Sequence, residues 1–103
     1  MKFNESVNEL REAIAAQPYT SPVKLCRIAA LNRAVAFCAD IDKNISVQDA
    51  LVQYYAHIKL RLIDDRITAY QFQNEVKMIN FVQMYHRLGN ITDVVKKPQI
   101  IGK

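Results

Sequence analysis

Between residues 22 and 88, apolar positions are denser than one buried helix face requires. The stretch 22–39 holds thirteen in eighteen, 47–63 eleven in seventeen and 69–88 eleven in twenty, whereas a helix packed in a bundle needs about three in seven. The spacing is helical. Met78, Phe81, Val82, Tyr85 and Leu88 fall at i, i+3, i+4, i+7 and i+10, the period of a single helix face. Phe72, Val76 and Ile79 form an adjacent stripe, with Met84 offset from both. Helix starts are marked too. Ser6-Val7-Asn8-Glu9 and Thr68-Ala69-Tyr70-Gln71 read as capping boxes, Ser21-Pro22 as an N-cap followed by proline, and Ser46 opens a fourth segment. Pro18 stops the first helix and Gly89-Asn90 offers a C-cap to the last. These signals predict an all-α fold, a compact bundle of four helices at about 5–17, 22–39, 47–63 and 69–88. They form one domain, 1–88, followed by an irregular C-terminal arm, 89–103, that contains Pro98.

The apolar surplus bears on function. Helices that are apolar nearly all round are buried on all sides, and four helices cannot all be central. A second interface is therefore expected, with another copy of the chain or with another protein. Its candidate residues are Tyr54 and Tyr55 on the third helix and Met78, Phe81, Val82, Met84 and Tyr85 on the fourth. Methionines and aromatics are the adaptable side chains of partner surfaces.

Composition narrows the class without naming an activity. The chain has 103 residues, half of them apolar, with only two glycines and three prolines, which excludes a collagen-like, disordered or hairpin-rich β protein. No apolar run reaches the roughly 20 residues of a membrane span, and Glu5 and Glu9 stand where a signal peptide needs an apolar stretch. Cys26 and Cys38 share one helix about 18 Å apart, too far to pair with each other. Reduced thiols in a cytoplasmic protein are the expectation.

The net charge is +4, mild enough to favour acidic partners without dictating one. Its densest block is Lys24, Arg27 and Arg33. With Lys96 and Lys97 of the arm, these are the candidate phosphate contacts of an alternative function. In that reading residues 10–28 form a helix-turn-helix-like segment, with Lys24 and Arg27 pointing outward together and the second helix's N-terminus receiving a phosphate. The turn glycine that such a motif favours is missing.

Catalytic and metal motifs are scarce. His57 and His86 stand 29 residues apart, and neither has a partner at metal-binding helix spacing. There is no glycine-rich phosphate loop. Asp40-Ile41-Asp42-Lys43-Asn44 resembles the opening of a calcium-binding EF-hand loop. Ile45 replaces its turn glycine, however, and Leu51 its bidentate glutamate, so the residues that would hold calcium are not there. Residues 58–72, from Ile58 through Asp64-Asp65 and Ile67-Thr68 to Phe72, resemble the helical hairpin of SHOCT-type segments. That resemblance implies helix, tight turn and capped helix, and transfers no activity. No catalytic residue, cofactor or metal is assigned. The expected function is non-enzymatic: a small regulator, adaptor, inhibitor or assembly subunit acting by protein–protein contact, with nucleic-acid binding as the alternative.

Overall fold

The computed structural model describes residues 2–88. The arm 89–103, with Lys96, Lys97 and the expected Gly89-Asn90 cap, lies outside them. Four helices follow in order: α1 (Phe3–Ala15), α2 (Ser21–Ile41), α3 (Val47–Ile63) and α4 (Ala69–Leu88). The all-α fold class holds, and α3 and α4 have the expected bounds. Helix α2 packs against each of the other three, and α4 also packs on α3.

The helix starts show which local signals decide. Ser46 caps α3 by accepting the Asp49 N–H at 3.1 Å. At α4 the box is reciprocal. Thr68 Oγ1 accepts from the Gln71 N–H at 3.1 Å, and the Gln71 side chain accepts from the Thr68 N–H at 2.9 Å. The Ser6 box, by contrast, does not form. Helix α1 starts earlier, at Phe3, because the Phe3 N–H donates to the Ile45 carbonyl at 2.8 Å in a bridge that ties the N-terminus to the α2–α3 loop. Ser6 lies inside the helix and donates back to the Phe3 carbonyl at 2.9 Å. A tertiary bond has replaced the side-chain cap. Likewise Thr20, not Ser21, is the N-cap of α2, and Pro22 falls within its first turn.

Helix α1 buries Phe3, Val7, Leu10 and Ile14, one face of 3.6-residue period. On α2 the buried face is Ala30, Leu31, Ala34 and Cys38, where small residues let neighbouring backbones approach. Burial raises the Cys38 thiol above its ordinary range, which keeps it inert. Val47, Ala50, Leu51, Tyr54 and Ile58 of α3 and Met78, Ile79, Phe81 and Val82 of α4 complete the core.

The α1–α2 pair is an antiparallel hairpin. Arg11 donates twice to the Asn32 side chain, at 3.1 and 2.7 Å. Farther from the turn, Phe3 and Asn4 border a small cavity with Val35, Cys38 and Asp42. The two elements of a helix-turn-helix cross at about 90–120° and touch mainly near their turn. These α1–α2 contacts lie on the second half of α2 and its C-cap, from Asn32 to Asp42, away from the turn. In the α2–α3 loop the calcium-like residues do ordinary turn work, with the Asn44 N–H bonded to Asp42 Oδ1 at 2.9 Å. No described group of carboxylates, histidines or cysteines has metal-site geometry.

Candidate contact surface and an arginine-lined pocket

The structure divides the expected interface residues. Tyr54, Met78, Phe81 and Val82 are buried in the core and present no outward face. Their stripe on α4 is the one that packs inward on the rest of the bundle. Tyr85 is half-buried and donates to Glu9 of α1 at 2.5 Å, a bond that, with some burial, pushes its hydroxyl up to about 12. Only Tyr55 and Met84 are exposed, each at 40%.

The other α4 stripe borders α3, with Ile79 buried in the core and Phe72 and Val76 packed against it. Phe72 and Val76 are half-buried, and Val76 and Ile79 line a groove of about 260 Å³ against Leu51, Val52 and Tyr55 of α3. The remaining lining residues, Gln48, Asn80 and Gln83, are polar but uncharged. Beside the groove α3 carries a second apolar stripe, directed away from its own core. Val52, Ala56, Leu60 and Ile63 lie four, four and three residues apart, within an arc of about 80°. All are exposed, with Val52 at 58%, Leu60 at 62% and Ile63 at 72%. Tyr55 joins groove and stripe and carries the Lys59 ammonium 5.4 Å from its ring centroid.

On the opposite side of α3 lies a pocket of about 370 Å³, bounded by α2, α3, the α3–α4 turn and α4. At its base Glu75 is buried with both carboxylate oxygens engaged. Oε1 accepts from the Tyr54 hydroxyl at 2.5 Å, and Oε2 accepts from Arg33 Nε at 2.7 Å, with Arg33 Nη2 completing the ion pair. Burial, and then the bond to Glu75, raises the Tyr54 hydroxyl far above the ordinary phenol range. Burial alone would lower the Arg33 guanidinium, but Glu75 outweighs it and the net shift is upward. Phe37 and His57 form one wall, their rings stacked at 4.2 Å. Burial, helped by the charge of Arg61, lowers His57 below its ordinary range.

The expected basic cluster on α2 is not one face. Arg33 lies nine residues from Lys24, about 180° around the helix, and is paired with Glu75. Arg27 lies over the Tyr19 ring at 5.8 Å. The arginines that do converge, Arg33, Arg61 and Arg66, come from three different segments, so no local sequence window contains them.

Compared with protein-family models, with curated proteins and with solved structures, the chain matches none of them. Among the described residues no helix is long and apolar enough to cross a membrane.

Proposed function

We propose that this protein works by contact rather than catalysis, and that its primary contact is self-association through the outer stripe of α3 and the adjoining α3–α4 groove. The observation that carries this reading is the exposed Val52, Ala56, Leu60 and Ile63 at helical spacing, on a helix that already buries a complete apolar face. A second copy is the favoured occupant on charge grounds. From Val47 to Ile58 the only formal charge on α3 is Asp49, whereas Lys59 follows beside the stripe. Antiparallel pairing of two α3 helices sets the acidic end of one against the basic end of the other, as a two-fold interface requires. The stripe spans only about 17 Å, small beside the roughly 800 Å² per partner of a standard interface, so the dimer is a weak one. The mutually satisfied Tyr54–Glu75–Arg33 cluster supports the non-catalytic part, because its carboxylate is engaged in holding helices together.

Sedimentation equilibrium between about 10 µM and 1 mM, concentrations that bracket a weak interface, tests the proposal. The average mass should rise from 11.8 kDa toward twice that value, and Leu60→Asp with Ile63→Asp should hold it at the monomer while circular dichroism stays helical. Concentration-independent monomer for the native chain would sink the reading. Co-elution with nucleic acid that is shed as salt rises would favour the alternative function instead.

A further inference from the structure

The pocket between α2, α3 and α4 holds more positive charge than its surroundings neutralise. Arg33 is matched by Glu75. Arg61 and Arg66 form no ion pair among the described residues, although Asp64 and Asp65 lie between them in sequence. Their convergence is imposed by the turn. Helix α3 ends in a Schellman motif: the Arg66 N–H bonds to the Arg61 carbonyl at 2.8 Å and the Asp65 N–H to the Leu62 carbonyl at 3.1 Å. Asp65 occupies the left-handed position with φ 58°. This motif brings its third-from-last helical residue beside the second residue past the cap, and that contact is frequently apolar. Here both positions are arginine. The helix dipole accounts for one cation at this end of α3, not for three on a single cavity. Between them lie an aromatic wall, Phe37 on His57, and the apolar Ile58 and Ile67.

We propose that this pocket binds a phosphate monoester, the dianionic group set between Arg61 and Arg66 and its organic body against Phe37 and Ile67. Two uncompensated guanidinium forks match a terminal dianion, to which arginine bonds bidentately. A nucleic-acid phosphodiester offers one charge per group and a continuous backbone, which a cavity of this size does not admit. The volume lies at the lower end of small-ligand sites, about 300–1,000 Å³. The site is separate from the self-association surface, because Arg61 lies about 140° around α3 from the middle of the outer stripe.

The test is titration of the full chain, at a concentration where it is monomeric, with phenyl phosphate, with inorganic phosphate and with a short DNA duplex. Heat and amide shifts are recorded together. Phenyl phosphate should bind about tenfold more tightly than inorganic phosphate, with shifts centred on residues 57–71. Arg61→Gln and Arg66→Gln should each weaken it about tenfold. Arg61→Lys, which keeps the charge but loses the fork, should fall between, and Lys24→Gln should leave binding unchanged. Binding should also weaken as salt rises. The proposal is overturned by no phenyl phosphate binding at about 10 mM, the weak limit of a specific site, or by equal affinity in the folded double Gln variant. Duplex binding that depends on these arginines while phenyl phosphate is ignored overturns it as well.

Discussion

Helices α1 and α3 use apolar residues in opposite ways. Helix α1 buries Phe3, Val7, Leu10 and Ile14 and surrounds them with Asn4, Glu5, Asn8, Glu9 and Glu12. One face is apolar, and that face is the core. Helix α3 is apolar on two faces, burying Ala50, Leu51, Tyr54 and Ile58 and exposing Val52, Ala56, Leu60 and Ile63. Hydrophobicity alone therefore identifies the core side of α1 but not of α3. Side chains two positions apart on α3 break this comparison most directly. Ile58→Ala should cost about 2–5 kcal/mol through lost burial and a residual cavity. Leu60→Ala should stay within about 0.5 kcal/mol in the monomer. Urea denaturation at low protein concentration measures both, and similar losses would mean that the outer stripe is packed.

The same difference explains what could be read from the sequence. The four helices and most of their bounds follow from apolar period and caps, because such signals are local. The role of the Met78–Phe81–Val82 stripe was not legible in that way. Two apolar stripes on one helix are equivalent in sequence, and only the placement of α2 and α3 decides which turns inward. The expectation that this stripe is the partner surface fails for that reason at Met78, Phe81 and Val82, which are buried, while in the adjacent stripe Ile79 is buried too and Phe72 and Val76 are half-buried. The arginine pocket was hidden for another reason. Arg33 meets Glu75 across 42 positions, a pairing that no spacing rule reports. Its Arg61–Arg66 edge did have a local signal, the acid-rich turn after a helix end, once Asp65 is seen as a left-handed cap.

The buried cluster gives the next largest effect. Arg33→Met strands Glu75 under α2 with only Tyr54 as a partner. Breaking a buried pair typically costs about 3–5 kcal/mol. Arg33 itself is 56% exposed, so water screens part of the interaction and about 2 kcal/mol is expected. Adding Glu75→Met should recover only part of that loss, since it removes the stranded carboxylate but leaves the buried Tyr54 hydroxyl without its acceptor. Failure of the second substitution to recover stability would show that Glu75 holds more than Arg33 and Tyr54.

Helix caps come third. Thr68→Ala and Ser46→Ala should each cost about 1 kcal/mol, while Ser6→Ala should cost clearly less, because Ser6 bonds within α1 and caps nothing. The order matters more than the values. If Ser6→Ala proved as costly as Thr68→Ala, the Phe3–Ile45 tie would not be what starts α1.

The smallest effect is the dependence on acid at His57, and its sign is fixed by its surroundings. Burial and the Arg61 charge hold the folded-state imidazole below the ordinary 6.5, so the unfolded chain binds the proton first as pH falls. Stability contributed by the neutral ring is present above about pH 6.5 and is lost as pH drops toward the folded value, with no further loss below it. His57 is only half-buried, so the slope is shallow. His57→Gln should flatten it between pH 7 and 5 in urea melts, because glutamine has no proton to gain. Phenyl phosphate should act on the ring itself, and the check is NMR titration of the imidazole rather than urea melts, because the ligand's own second ionisation at about pH 6 makes its binding fall with pH in the same window. A dianion beside Arg61 offsets the charge that opposes protonation and raises the imidazole toward 6.5. An imidazole titration unaltered by saturating phenyl phosphate would place the anion away from Arg61 and His57, even if affinity alone suggested otherwise.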